Sequence, residues 1–239
     1  MPPYAGAISL MGLELARTVI FIDGQNLHKR LEELGLAEKD IRWDLVFSDL
    51  VPPGEVLIWV YWYQAGRVAP WEWQPGFRHR CPPGLTPSDF KAMAEAYYKS
   101  EKERPELLQR NVYSRLEEDF AKVEFRYSGV LKVDPMGSFV DKSGNLKVGK
   151  RIGEKGVDVA LAIDLFKFAE FYDHAVLLSG DYDYVPAIQA VKDRLKKITA
   201  VPIMHGTPPA SRGHACRLKG LCDQESPLYE SDLKGRFKR

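Results

Sequence analysis

The sequence predicts an α/β fold in which a mostly parallel sheet is covered by helices on both faces. Short apolar runs rich in β-branched and aromatic residues alternate with segments of helical periodicity. The runs are apolar throughout, as expected of strands that are buried on both faces. An aspartate follows each of two runs within two residues, at the edge where parallel sheets bind ligands.

The first part of the chain contains two predicted strands and a long irregular segment. Residues 18–22 form a β-branched run that ends at Asp23-Gly24, and the helix after it ends at Gly35. Residues 55–63, EVLIWVYWY, predict a second strand after a Pro-Pro-Gly turn. The following composition of Trp, Arg, Pro and Gly has no clear period, which predicts a loop or insertion over 64–87.

The remainder predicts three more strands with helices between them. Residues 88–121 look helical, with a break near Pro105. The further elements are a strand at 123–133, a hairpin at 139–148, a helix at 157–171, a strand at 174–179, a helix at 184–197, a strand at 198–204 and a short helix at 211–221. Apolar positions surround most of the helix at 157–171, which predicts burial on more than one side.

Composition and charge exclude several classes of protein. Lys and Arg number 34 against 33 Asp and Glu, so any attraction for phosphate must be local. The three cysteines include no CxxC pair and predict neither a disulfide framework nor a zinc site. No stretch approaches the length of a membrane span, and we expect a soluble cytoplasmic protein without a membrane partner.

The chain length suits one large domain. We expect that domain to span 17–225, with an insertion at about 64–122. An N-terminal extension at 1–16 and a basic polar tail at 226–239 would flank it.

Four aspartates are candidates for a metal site: Asp23, Asp158, Asp181 and Asp183. Asp23 and Asp181 follow predicted strands, and they face one crevice if those strands are neighbours where the strand order reverses. Crowded carboxylates raise one another's pKa unless a cation neutralises them, and an oxygen-only set suits Mg²⁺ or Mn²⁺. Each aspartate taken alone is equally well explained as a helix cap or turn residue.

Three motifs carry a resemblance to a known family. They are Phe21-Ile22-Asp23-Gly24-Gln25-Asn26-Leu27, Lys155-Gly156-Val157-Asp158-Val159-Ala160-Leu161 and Ser179-Gly180-Asp181-Tyr182-Asp183-Tyr184-Val185-Pro186. In this order they resemble the motifs of the NYN domain, LabA-like branch, within the PIN-like nucleases. The resemblance covers roughly 18–50 and 150–223.

This resemblance implies a Rossmann-like, PIN-type three-layer sandwich whose five-stranded sheet has the order 3-2-1-4-5. It also implies a ribonuclease that depends on Mg²⁺ or Mn²⁺. By motif position, Asp23, Asp158, Asp181 and Asp183 would hold the metal and act in catalysis. Asn26 would contact a ligand or substrate oxygen.

Two sets of residues are candidates for RNA contacts. Lys150, Arg151 and Lys155 precede the Asp158 motif and could form a phosphate track, against the alternative of an ordinary solvated hairpin. Trp71 and Trp73 could stack on single-stranded bases, although packing within the insertion or an oligomer contact explains them as well.

The leading function is metal-dependent hydrolysis of phosphodiester bonds in RNA, with single-stranded RNA as the expected substrate. An alternative is a regulatory module of the same fold that binds RNA with little turnover. A phosphatase with two acids flanking one residue after the first strand fits less well, because Gln25 occupies the second position. A homodimer is left open.

Overall fold

The computed structural model describes residues 9–10, 13–141, 143–208, 218 and 220–239. Its strands are β1 (Ser9–Leu10), β2 (Leu13–Glu14), β3 (Ala16–Asp23), β4 (Glu55–Gln64), β5 (Val123–Tyr127), β6 (Val130–Val140), β7 (Leu146–Lys155), β8 (His174–Leu178), β9 (Lys197–Ala200), β10 (Ile203–Met204), β11 (Gln224–Glu225) and β12 (Leu228–Tyr229). Its α-helices are α1 (Gly24–Glu33), α2 (Trp43–Leu50), α3 (Pro87–Leu108), α4 (Ser114–Asp119), α5 (Val157–Lys167), α6 (Val185–Lys192) and α7 (Glu230–Lys234).

Within the described residues, the central sheet has six strands in the order β5-β4-β3-β8-β9-β11. Every neighbouring pair in it is parallel. Counted along the chain, the first five central strands have the predicted order 3-2-1-4-5, and the two-residue β11 adds a sixth. The order reverses between β3 and β8, so their carboxyl ends bound the crevice in which such sheets bind ligands.

Helices cover both faces of this sheet, which confirms the predicted architecture. Alternation along β3 sends Ile20 and Ile22 into one core with α1, α2, α4 and α7, and Val19 and Phe21 into another core with α5 and α6. Each fully buried side chain of this size contributes about 1.5–3 kcal/mol relative to its exposed state. The helices are therefore held by apolar contacts with the sheet.

A long antiparallel hairpin of β6 and β7 stands beside the central sheet. It packs with α3 and the loop before it into a third, smaller core around Phe90, Ala94, Met136 and Val148. The expected strand at 123–133 is thus two strands, because Gly129 turns the chain between β5 and β6 with a φ of 68°. Only β5 joins the central sheet.

Several predicted boundaries need correction. The helix α3 continues through Pro105, because a proline removes only one intrahelical hydrogen bond and packing of α3 against the hairpin offsets it. A π-helical turn at Gln109–Tyr113 follows it. The amphipathic helix α2 was not predicted, and the short helix expected at 211–221 lies mostly outside the described residues.

Residues 226–239 do not form the solvated polar tail that we expected. They contribute β12 and α7, and the side chains of Leu233 and Phe237 are buried in the core with α1 and α2. Arg236 forms an ion pair with Asp49 at 2.8 Å. The charged composition of this segment did not indicate that these two apolar side chains anchor it in the core.

The described part of the chain contains no helix with the length and apolar character to span a membrane.

Candidate active site

Asp23 ends β3 and caps the first turn of α1. Its Oδ1 accepts a hydrogen bond from the backbone N–H of Asn26 at 3.0 Å, so the capping role weighed from the sequence is present. The residue is only 7% exposed. Burial raises the pKa of its carboxyl group, and the nearby charge of Asp181 raises it further.

Hydrogen bonds connect Asp23 to the segment after β8. The hydroxyl groups of Ser179 and Tyr184 each donate to Asp23 Oδ2 at 3.1 Å. Ser179 Oγ also accepts the backbone N–H of Asp181 at 3.1 Å. The adjacency of β3 and β8 therefore brings two of the predicted motifs into one hydrogen-bonded network, and Ser179, to which we assigned no role, is its central member.

The pKa of the Tyr184 hydroxyl group depends on several of the predicted aspartates. Burial and then the charges of Asp23, Asp158 and Asp181 raise its pKa strongly. Three of the four predicted aspartates therefore act on one buried hydroxyl group. Asp183 is not among the charges that act on this hydroxyl group.

Asp158, Asp181 and Asp183 are more accessible than Asp23. Asp181 is half-buried and accepts the backbone N–H of Asp183 at 3.2 Å, which caps the turn before α6. Asp158 lies in the first turn of α5 and is exposed, as is Asp183. These two exposed aspartates line one cavity of about 810 Å³ between α5 and α6.

The four aspartates do not form a ready-made metal cluster. Among the described residues, no three His, Cys, Asp or Glu side chains are grouped so that they could hold a metal ion. The side chains differ in burial: Asp23 lies beneath the surface with both oxygens hydrogen-bonded, whereas Asp158 and Asp183 are on it. The assignment of all four aspartates to one metal site stays a prediction.

Asn26 lies in the first turn of α1, three residues after Asp23, and is half-buried. Its backbone supports the Asp23 carboxylate. The contact of its side chain with a substrate oxygen stays a prediction.

Asp164 supports the fold rather than the candidate metal site. It is buried and accepts hydrogen bonds from the Tyr63 hydroxyl at 2.9 Å and from Arg126 Nη1 at 2.6 Å. Arg126 also lies over the ring of Tyr61, 4.6 Å from its centroid. These contacts tie α5 to β4 and β5.

Sequence reasoning assigned no role to Glu154, which lies on the hairpin strand β7. Its backbone N–H donates to Gln25 Oε1 at 3.2 Å, close to Asp23 in the chain. Its buried Oε2 has no hydrogen-bond partner in the part of the chain that the structure describes. Burial and the charge of Asp23 raise the pKa of Glu154 to about 7. No sequence signal could have found it, because the register of the hairpin decides which of its side chains is buried.

The Glu154→Gln variant is expected to be more stable than the wild type at about pH 8, by roughly 1–3 kcal/mol in the free energy of unfolding. The folded pKa of about 7 exceeds the ordinary value of 4.5. The wild type therefore loses stability as the pH rises through that window, and the glutamine, which does not ionise, removes the loss. Urea unfolding at about pH 5 and pH 8, in chelator, measures this difference.

The exposed Glu72 offers a matched control for this variant. The same substitution there should leave the free energy of unfolding within about 0.5 kcal/mol of the wild type at both pH values. An equal effect of Glu154→Gln at the two pH values would contradict the prediction.

The residues predicted to contact phosphate differ in their environment. Lys150 and Lys155 are exposed on the hairpin strand β7. Arg151 is instead committed to Glu101 of α3 by two hydrogen bonds, at 2.7 and 3.1 Å. We therefore withdraw Arg151 from the phosphate track, because its guanidinium group is already paired.

Trp71 and Trp73 belong to the small third core rather than to an open stacking surface. Both are half-buried against it. The ring of Trp71 contacts that of Tyr98 at 5.5 Å, and Trp73 contacts the rings of Phe77 and Phe90. The alternative of packing within the insertion explains these tryptophans, and their assignment to RNA bases is corrected.

Comparisons with known proteins agree with the fold and the motifs. A family model described as the NYN domain matches residues 86–225, more than half of the chain. The matched segment contains Asp158, Asp181 and Asp183 but starts after the strand that carries Asp23. A comparison with curated protein sequences gave no match.

A solved structure with a similar fold is a protein of unknown function from Vibrio parahaemolyticus. The two chains are 14% identical and superimpose with a TM-score of 0.50, over 94% of this chain and 96% of that one. At this identity the likeness concerns the fold alone.

Proposed function

Because the chain belongs to the NYN domain family, within the PIN-like nuclease superfamily, we propose that it hydrolyses phosphodiester bonds of single-stranded RNA with the help of Mg²⁺ or Mn²⁺. The observation that carries this proposal is the network around Asp23. The buried Asp23 carboxylate lies where the strand order reverses, and Ser179 links it by hydrogen bonds to Asp181. The Tyr184 hydroxyl donates to Asp23, and the charge of Asp158 also raises the pKa of Tyr184. Placement in the LabA-like branch stays a prediction.

The donor set fits a hard divalent cation. Burial destabilises the charged form of Asp23, and a cation would relieve this cost. Mg²⁺ commonly takes only one or two protein carboxylates and completes its shell with water and substrate phosphate. The lack of a three-residue cluster among the described residues is compatible with that mode of binding. Asp23, Asp158, Asp181 and Asp183 are the residues that would hold the cation.

When bound, such a cation activates a water molecule and stabilises the charge that develops on the phosphate. The protein's own residues orient this chemistry. The hydroxyl groups of Ser179 and Tyr184 donate to the Asp23 carboxylate and restrain its orientation. Asp158 and Asp183 are exposed to solvent. Lys150 and Lys155 remain available to hold phosphates of the RNA.

The test is cleavage of an end-labelled single-stranded RNA by the purified protein. We expect cleavage with Mn²⁺ or Mg²⁺, none in EDTA, and weaker action on DNA of the same sequence. Cleavage that persists undiminished in EDTA would exclude the metal-dependent mechanism. A parallel binding assay with the same RNA separates binding from turnover.

A second candidate function is RNA binding with little turnover. One observation favours it: both oxygens of Asp23 accept hydrogen bonds within the protein in this conformation. Tight RNA binding without cleavage at any divalent cation concentration would establish it in place of the nuclease.

A further inference from the structure

The helix α5 presents a second apolar face outward. Val159, Ile163 and Phe166 are 56%, 57% and 40% exposed. Their spacing of four and three residues places them in one stripe along the helix, which we call the outer stripe. The sequence pattern predicted burial of this helix on more than one side, yet within the described residues only its inner face is covered.

The outer stripe lines the groove of about 810 Å³ between α5 and α6. Both helices start at the edge of the sheet that carries the candidate site, so the groove runs from that edge towards the opposite one. Its length along α5, from Asp158 to Phe166, is about 12 Å at 1.5 Å per residue. A contiguous exposed apolar surface is a candidate interaction site.

Charge is distributed unevenly along the groove. Asp158 and Asp183 line the end beside the candidate site. Lys167 and Arg194 line the other end together with Glu170, and the Arg194 guanidinium lies 3.9 Å from the centroid of the Phe166 ring. One end is thus acidic, the middle is apolar and the far end carries a net positive charge.

We propose that this groove is the interface of a homodimer in which the α5 helices of two copies of this chain pack antiparallel. A twofold axis perpendicular to α5 places the acidic end of one copy against the basic end of the other and joins the two apolar middles. RNA fits the groove less well, because a polyanion lying along it would pass three carboxylates and contact mainly aliphatic carbon.

The twofold symmetry predicts which residues contact each other across the interface. Ile163 is near the middle of the outer stripe and therefore near the axis, where a residue contacts its own copy. Val159 is displaced from the axis and contacts the region of Phe166 in the second copy. Arg194 of the second copy comes beside Asp158 and Asp183. In that position Arg194 could also hold a phosphate group of RNA, a role that rests on the proposed function. The dimer itself does not rest on it.

Light scattering of the metal-free protein after gel filtration tests the dimer independently of any nuclease activity. We expect the wild type to have twice the chain mass of 27.1 kDa. The Ile163→Glu variant should be monomeric, with dimerisation at least ~100-fold weaker, because it places an unpaired charge in the apolar centre. Circular dichroism and thermal unfolding confirm that the variant is folded.

Val140→Glu is the matched control, since Val140 is also highly exposed, at 65%, but lies on the hairpin strand β6. This variant should remain dimeric. Ile163→Cys should form a disulfide-linked dimer under mild oxidation more readily than Val159→Cys or the wild type. That cross-link reports the position of the axis.

Several results would overturn the proposal. They are a wild type that is monomeric at all concentrations, an Ile163→Glu variant that remains dimeric, and cross-linking of Val159→Cys as readily as Ile163→Cys. A monomeric wild type whose RNA affinity falls in Ile163→Glu would identify the groove as a nucleic-acid site instead.

Discussion

The Asp23→Asn variant is expected to lose at least ~1,000-fold of the metal-dependent RNA cleavage while it keeps the fold. Asparagine caps a helix about as well as aspartate, so the hydrogen bond from the Asn26 backbone is retained. The variant lacks the negative charge that a cation needs. Initial rates of RNA cleavage across a Mn²⁺ titration, with thermal unfolding of the same samples, measure both effects.

The stability of this variant is informative by itself. Burial raises the pKa of Asp23, so its ionised form is unfavourable in the metal-free fold. We expect Asp23→Asn to be at least as stable as the wild type at neutral pH without metal, and to gain less thermal stability when Mn²⁺ is added. Asp193→Asn, an exposed change on the segment after α6, is the control and should leave both properties unchanged. Full metal-dependent cleavage by Asp23→Asn would contradict the assignment of the site.

The Gly24→Ala variant is expected to lose about 2–4 kcal/mol in the free energy of unfolding, together with most of its activity. A Cβ atom at this position would lie 2.4 Å from the Tyr63 carbonyl oxygen. The backbone of β4 cannot yield without a shift of the central sheet, so the start of α1 must move. That movement displaces Asp23 from Ser179 and Tyr184. Urea unfolding and the RNA cleavage assay measure the two losses.

Gly180→Ala is the matched control for the steric argument. Gly180 lies in another of the three motifs, next to Asp181, yet the nearest atom to its added Cβ would be Pro202 Cβ at 3.7 Å. We expect the free energy of unfolding to change by less than about 1 kcal/mol. Equal loss of stability in the two variants would contradict the steric explanation, because only position 24 is in close contact with the backbone of β4.

Much of the fold was predictable because its signals are local. The apolar run at 18–22 and the acidic residue after it identify β3 and its carboxyl end without knowledge of any distant residue. Alternating strands and helices then imply a parallel sheet, and the motif resemblance supplied the strand order that the structure confirms. The capping of α1 by Asp23 follows from the same short stretch.

The wrong predictions have a common physical cause, which is a contact with a residue far away in the sequence. Arg151 and Lys150 are adjacent in sequence and equally basic, but only Arg151 meets Glu101 of α3. In the sequence Trp71 and Trp73 resemble a stacking surface, but in the fold they pack against the third core with α3 and the hairpin. Phe237 is a lone aromatic residue in a charged segment, yet it is 2% exposed. In each case the decisive partner is distant in the chain.

The sequence by itself determined the alternation of strands and helices and the aspartates at the ends of two strands, because periodicity, capping and turn preferences act within a few residues. Only the tertiary structure decided that Asp23 is buried while Asp158 and Asp183 stay exposed, that Glu154 joins the surroundings of Asp23, and that α5 keeps an uncovered apolar stripe. These properties depend on which surfaces the packed sheet and hairpin bring together. Burial, and the pKa shifts that follow from it, arise only when those surfaces meet.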